Sequence, residues 1–335
     1  MESSVSSINK TIIMDPISAE NNQYIHIVSS LLAQRHDVIS ISTALAKPFS
    51  LKRRNTVAIL NWFESKVSHS RAPVLGFIKC VAILLYLKLI CSTIVWVKHN
   101  HKPHDSQDAL AKRLTAWITY LLSHLSTNTI THDRVEDVNS IVVPHPLYLR
   151  EPYIEHNHRR DIDFLIFGQV KKYKNLTSLF EIWPQSIALT LVGKAESQEL
   201  RDELNSVIQR RNLNIIWDDR FIPDEELNAL LQRTRYAILP HSEDSMIVSG
   251  AFYHAITYGC NLLMSDNAFA RNMADKHPFC HLLLRGEPLE PQLNHALQAS
   301  VCANQLIEQA YECYSDQQVF LGFEQAISGS NGRSL

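Results

Sequence analysis

Short apolar runs of strand length alternate with helical patterns along this 335-residue chain, and the alternation is played out twice. In the first half, "TIIMDP" from Thr11 precedes a helical pattern from Asn22 to about Ala33, then "DVISI", then "TVAILNWF" from Thr56. A helix opening at Pro73, a strand ending at Lys98, a helix over 106–125 and a strand "SIVVPH" complete it. In the second half "DFLIFG", "IALTLVG", "LNIIW", "YAILPH" and "NLLMSD" read as strands, and helical patterns follow the first four. Apolar strands alternating with helices are the signature of a parallel sheet covered on both faces. The expected fold class is α/β, with two doubly wound domains facing a cleft. Their boundary fits the polar, histidine-rich "EPYIEHNHRRD", giving domains 1–150 and 151–335. Asp224 in "IPDEELNALLQRT" is the expected N-cap of one helix of the second domain. Ligands of such sheets bind beyond the carboxyl ends of the strands, so the residues there matter most.

Charge is unevenly spread over this plan. Residues 1–150 hold 16 Lys/Arg against 10 Asp/Glu, and the remainder 16 against 24, within a net charge of -2. A near-neutral whole argues against general nucleic-acid binding, while the basic first half suits peripheral contact with an anionic membrane surface. The six cysteines form no CxxC pair, which fits a reducing cytosol, and "MESSVSSINK" lacks the basic-then-apolar order of a secretory signal. Val74–Val97, "VLGFIKCVAILLYLKLICSTIVWV", is long enough to span a bilayer, but Lys79 and Lys88 divide it. Each lysine near a membrane centre would cost about 2.5–3.5 kcal/mol. Pro73 fits a first helical turn and "TIVWV" a buried strand, so the segment is expected to be a helix and then a strand inside a core.

Four features converge on strand ends. Gly168 closes the first strand of the second half and is followed by Lys171, Lys172 and Lys174; Gly193 with Lys194 closes the next. Ser249 and Gly250 are placed to open a helix whose free N–H groups could hold phosphate oxygens. Asp266 ends "LLMSD". Glycines, lysines and a helix start gathered at the carboxyl ends of strands are what an anionic phosphate ligand requires.

These residues carry a family resemblance. "FGQVKKYKN", "LTLVGK", "FIPDEEL", "ILPH" and "SGAFYHAITYG" occur in the order of the donor-binding domain of GT-B glycosyltransferases, in the broad group around family 4 that includes enzymes of bacterial exopolysaccharide and capsule synthesis. "NNQY", "NWFE", "KHNHKPHD" and "VVPHPLY" look like acceptor-domain landmarks of the same group, and the matches span about residues 11–275. The resemblance implies two Rossmann-like domains, acceptor-binding over 1–150 and donor-binding over 151–335 with C-terminal helices. It implies transfer of a sugar from a nucleotide diphosphate donor to a lipid-linked glycan acceptor at the cytoplasmic face of a membrane, with retained anomeric configuration and neither cofactor nor metal. Gly168, Lys171, Lys174, Gly193, Ser249 and Gly250 would bind the donor. Lys174 and then Lys171 would stabilise the departing diphosphate, and His99 would contact substrate.

The chain departs from the family pattern at three positions. Gln169 stands where many relatives carry arginine, and Met246 and His254 stand where many carry two glutamates. Those departures keep a second class of protein open, a catalytically silent GT-B-fold binding subunit; a nucleotide-sugar epimerase on the same fold is a third. His99, His101 and His104 with Asp105 match no usual zinc spacing, His145 lies near the domain junction, and the DxD-like "DID" at Asp161–Asp163 falls at the wrong end of its strand for a ligand. A hydrolase elbow, a Walker A loop and a GxGxxG fingerprint are absent from the sequence.

Overall fold

Two six-stranded, wholly parallel sheets organise the chain. The computed structural model describes residues 9–19, 22–47, 50–68, 70–99, 108–134, 139–152, 160–240 and 249–328. The first unit contains β1 (Thr11–Asp15), α1 (Gln23–Leu32), β2 (Asp37–Ser40), α2 (Ile41–Ala46), β3 (Thr56–Asn61), α3 (Ser65–Ser68), α4 (Pro73–Ile90), β4 (Thr93–Val97), α5 (Ala109–Leu125), β5 (Asn128–Thr131) and β6 (Ile141–Val142). Its strands lie in the order β2-β1-β3-β4-β5-β6.

Strand periodicity divides the apolar residues between two faces. Ile12, Met14, Val57, Ile59, Val95 and Val97 point to the side covered by α1. Ile13, Ala58, Leu60, Ile94 and Trp96 point to the side covered by α2, α4 and α5. Every residue of β3 and β4 is buried, which is why both read as unbroken apolar runs.

The helix-then-strand expectation for 74–97 holds, but α4 is not inside a core. Only Cys80, Leu84 and Leu87 of α4 are buried, a single stripe at helical spacing, because the helix covers one face of a sheet and has nothing outside it among the described residues.

The second unit runs from Leu147 to Cys313, leaving aside 245–248. It contains β7 (Ile162–Phe167), α6 (Leu176–Ile182), β8 (Leu189–Val192), α7 (Gln198–Arg210), β9 (Ile215–Asp218), α8 (Asp224–Gln232), β10 (Thr234–Leu239), α9 (Gly250–Thr257), β11 (Asn261–Ser265), α10 (Ala268–Lys276), β12 (Cys280–Leu283), α11 (Leu289–Gln298) and α12 (Ala303–Tyr314). The strand order is β12-β11-β10-β7-β8-β9. Because β7 is flanked by β8 on one side and β10 on the other, the winding reverses direction there, and the crevice at their carboxyl ends is the topological switch point. In the first sheet the equivalent point lies between β1 and β3.

Two sequence-based boundaries shift. Helix α8 begins at Asp224 itself, with Pro223 as the cap residue, so Asp224, Glu225 and Glu226 all sit in the first turn where the helix dipole favours them. The last helix, α13 (Asp316–Ser328), packs with the first unit, whereas the sequence reading assigns everything after 150 to the second. Val319, Phe323, Ala326 and Ile327 join the α1 side of the first core. His36 Nε2 meets Glu324 at 2.5 Å, and Asn128 Nδ2 donates to the Ala326 carbonyl at 2.7 Å. A side chain at Gly322 would begin 2.8 Å from Val143 Cγ1, so glycine lets the helix approach β6 closely.

Candidate functional site

The turn after β7 is built around a buried cation. Gly168 takes φ +80 and lets the chain leave the strand sharply. Beyond it the backbone stays paired to the turn after β8: Val170 N donates to Lys194 O at 3.0 Å, and Glu196 N to Val170 O at 2.9 Å. The two turns press together so closely that a Cβ on Gly193, at φ +141, would lie 2.3 Å from the Gly168 carbonyl oxygen. A 3-10 turn over Lys172–Lys174 and a left-handed Asn175 (φ 48) then start α6.

This geometry turns Lys174 inward. Its side chain runs back beneath the turn, and Nζ donates to the Phe167 carbonyl at 3.1 Å. Lys174 is 6% exposed, and burial, with a smaller contribution from Lys171, lowers its pKa to about 8. An ammonium has three donors, and among the described residues Phe167 takes one of them. Lys171 is half-buried, while Gly168, Gln169, Lys172 and Lys194 are exposed around it.

Helix α9 borders the same switch point. Ser249 is its N-cap: its side chain accepts from Phe252 N at 3.4 Å, so of the first turn the N–H groups of Gly250 and Ala251 precede the capped one. A Cβ on Gly250 would meet the Tyr148 hydroxyl at 3.0 Å, so the small residue admits the tyrosine. His254, one turn on, stacks on Tyr148 at 4.5 Å, meets the Phe167 ring edge-on at 6.1 Å and donates Nε2–H to Asn228 Oδ1 at 2.7 Å. Through Phe167, the helix and the buried lysine share one neighbour. Burial lowers the His254 pKa to about 4, so its imidazole is neutral at neutral pH. Met246 lies outside the described residues.

The remaining strand-end and acidic candidates are engaged elsewhere. Asp266 pairs with Arg271 at 2.6 Å, which holds its carboxyl below the ordinary range. At the amino end of β7, Asp161 pairs with Arg233 at 2.5 Å and Asp163 with Arg235 at 3.0 Å. Among the described residues no three His, Cys, Asp or Glu side chains converge to hold a metal ion.

In the first unit, His99 follows β4 and is 2% exposed. Trp62, in the left-handed region at φ 47, lays its indole on the His99 ring at 3.8 Å and 12°. His99 Nε2 donates to Asn61 Oδ1 at 3.2 Å, and the buried Asn61 Nδ2 has no partner among the described residues. His99 also meets Tyr24 and His132, and His132 in turn meets His145 at 5.3 Å. Burial first, and then the neighbouring imidazoles, hold His99 and His145 well below the ordinary histidine value; burial lowers His132 to about 4. His101, His104 and Asp105 lie outside the described residues.

Several contributors escape the sequence reading. His132 donates Nδ1–H to Val143 O at 2.9 Å and accepts at Nε2 from the Tyr24 hydroxyl at 3.1 Å. Glu64 is 5% exposed, burial raises its pKa, and it accepts from Trp96 Nε1 at 3.2 Å. Tyr148 and Asn228 hold His254 from outside its helix. Glu64 and Tyr148 fall inside "NWFE" and "VVPHPLY", but no spacing within a single motif announces these contacts, since the partners come from separate parts of the chain.

No family model matches the sequence, and no curated protein matches it. Solved structures do. Anabaena Alr3699/HepE in complex with UDP and glucose aligns with a TM-score of 0.63 at 13% identity, covering 96% of this chain and 100% of that one. Sucrose-phosphate synthase from Thermosynechococcus elongatus aligns with a TM-score of 0.64 at 11% identity, over 95% and 98% of the two chains. TarM aligns with a TM-score of 0.60 at 11% identity; the match covers 85% of this chain and 57% of TarM. Likeness at such identities is one of fold, and the fold is GT-B.

Proposed function

We propose that the protein is a glycosyltransferase whose second unit binds a nucleotide-diphosphate sugar at the carboxyl ends of β7 and β8 and the start of α9. The observation that carries this reading is the buried Lys174 ammonium beneath Gly168, at the topological switch point of a parallel sheet. When the donor's glycosidic bond breaks, the electron pair leaves with the diphosphate, and charge grows on its oxygens. A cation already desolvated and held by a main-chain carbonyl meets that charge without reorganising. Lys171 and the first-turn N–H groups of α9 add to the same field. The acceptor hydroxyl oxygen forms the new bond to the anomeric carbon and passes its proton to an oxygen of the departing diphosphate, which becomes more basic as the bond to it breaks. His99, neutral and oriented by Asn61 and Trp62, is assigned to the acceptor side.

HepE was solved with UDP and glucose, which supports a nucleotide sugar as the donor class. Retention of configuration, independence from metal, a lipid-linked glycan acceptor and a place in surface polysaccharide synthesis on the cytoplasmic side are part of the same proposal. The reading is tested by titrating the protein calorimetrically with UDP and other nucleoside diphosphates, then following sugar release and transfer from the matching donors. Failure of every nucleotide to bind would remove it.

One observation favours the silent-subunit reading. His254 has its Nε2–H committed to Asn228, at a position where the resemblance implies that many relatives carry a carboxylate. Nucleotide binding without sugar release from any donor would select that reading.

A further inference from the structure

Helix α4 carries large apolar side chains around its whole circumference; Cys80, Leu84 and Leu87 are buried in the core, Phe77, Val81, Ile83, Tyr86 and Ile90 pack half-buried against it, and the opposite face is left uncovered. On the outer face Val74, Leu75, Ile78, Leu85 and Leu89 are 49, 68, 56, 56 and 73% exposed. Single exposed leucines need no explanation, but five on one helix form a contiguous patch of the kind that marks an interaction surface. The charge on this helix is wholly positive. From Ser65 to His104 the sequence contains no Asp or Glu, while Lys79 and Lys88 are exposed on α4 itself. Helix α5 packs beside α4, with Lys88 Nζ donating to the Leu125 carbonyl at 3.2 Å; it too lacks acidic residues and exposes Lys112 and Arg113.

We propose that the outer face of α4 docks on an anionic phospholipid bilayer, lying in the plane of the interface with its apolar side chains at the acyl boundary and its lysines among the headgroups. Charge complementarity selects this occupant. A second copy of the chain, docked face to face, would set Lys79 and Lys88 against like charges with no carboxylate on either helix to answer them. A spanning arrangement would pull Cys80, Leu84 and Leu87 out of the core beside β4. An anionic headgroup layer supplies the missing negative charge and accepts the leucines. This inference does not rest on the nucleotide site, and its test does not read activity.

The test is co-sedimentation of the full-length protein with vesicles of phosphatidylcholine alone and of phosphatidylcholine mixed with phosphatidylglycerol. Wild type should partition onto the anionic vesicles only. The triple change Leu75→Ser, Leu85→Ser, Leu89→Ser should weaken partitioning by about tenfold or more, since exposed apolar area and headgroup attraction act together. Lys79→Glu with Lys88→Glu should weaken it comparably. All five positions are exposed, so circular dichroism and the melting temperature should match wild type; a variant that fails this check is replaced by Leu75→Ser with Leu89→Ser. Wild-type failure to bind anionic vesicles would overturn the proposal. So would binding that survives in every α4 variant but is lost when Lys47, Lys52, Arg53 and Arg54 are changed to Glu. A dimer in lipid-free solution that the triple change dissociates would also overturn it, by showing that a second copy covers the face.

Discussion

Lys174 and Phe167 are joined by a 3.1 Å hydrogen bond from the lysine's Nζ to the last carbonyl of β7, so a cation is fixed under the glycine turn before any ligand arrives. A surface lysine could reach the same place only by losing side-chain freedom and water at the moment of reaction. Here both losses occur on folding, and the lowered pKa of about 8 records the second.

Removal of that cation should therefore affect chemistry more than folding. Lys174→Met keeps most of the buried stem and deletes the charge. It should raise the transfer barrier by about 2–4 kcal/mol, in the range seen when other charge-stabilising groups are lost. Turnover at saturating donor measures this, and an unchanged rate would take Lys174 out of the mechanism.

The lowered pKa also sets a pH dependence. Lys174 is charged in the free folded protein below about 8 and neutral above it. Affinity for a nucleoside diphosphate should accordingly weaken as pH rises through about 8, and Lys174→Met should flatten that part of the profile. For stability the sign is opposite. The unfolded lysine titrates near 10.5, so between about 8 and 10.5 the unfolded chain holds more protons, and the contribution of Lys174 to folding grows with pH across that window. Calorimetric titrations with UDP at several pH values, set beside urea unfolding at the same pH, separate the two effects.

Much of this arrangement is legible in the sequence, for local reasons. Strands β3 and β4 are buried throughout and β7 from Phe164 to Phe167, and a strand ending in glycine before a lysine-bearing turn marks Gly168 and Lys174 without help from distant residues. Two strands escape notice: β5 is "NTIT", four residues with a single apolar one, and β12 is "CHLL", four residues with no β-branched or aromatic side chain. The return of α13 to the first unit depends on contacts such as Glu324 with His36 and Gly322 with Val143, which no local pattern encodes. The histidine group of His99, His132 and His145 is assembled by the sheet from separate segments, so spacing along the chain does not reveal it. The apolar run of α4 misleads in a different way: composition shows that a helix is apolar, not how many of its faces the fold covers.

Gly193 offers a steric test of the site's construction. Alanine there would place Cβ 2.3 Å from the Gly168 carbonyl oxygen, a backbone atom that cannot swing aside. Gly193→Ala should destabilise the protein by more than about 2 kcal/mol and weaken nucleotide binding, because the two turns must separate. Gly286→Ala is the control: it also has positive φ, at +83, but nothing lies within 4 Å. It should cost only the left-handed penalty of about 1–2 kcal/mol and leave nucleotide binding unchanged. Urea unfolding and calorimetry on both variants decide it.

Buried neutral imidazoles should make the fold acid-labile. His132 and His254 have folded pKa values of about 4 against an ordinary 6.5, and His99 and His145 are also depressed. Their folded values lie below the unfolded ones, so their stabilisation is complete above about 6.5 and is lost as pH falls towards 4. Each such group costs on the order of 1 kcal/mol per pH unit within that window. Denaturant midpoints measured from pH 7 to 4 should fall steeply, and a flat profile would mean that these rings are already protonated or solvated in the native state.

Chelation tests the lysine-based reading against a metal-based one. If Lys174, Lys171 and the start of α9 neutralise the departing diphosphate, no divalent ion is required for that role. The DxD-like pair is occupied in another way: Asp161 and Asp163 are bound to Arg233 and Arg235 at the amino end of β7, away from the switch point. Sugar transfer should persist in excess EDTA. Asp161→Ala breaks one exposed ion pair, so it should change stability by less than about 1 kcal/mol and leave the rate unchanged. Rates with EDTA and with added Mn²⁺, for wild type and Asp161→Ala, give the answer: loss on chelation with recovery on Mn²⁺ would mean that the buried ammonium is not what carries the diphosphate charge.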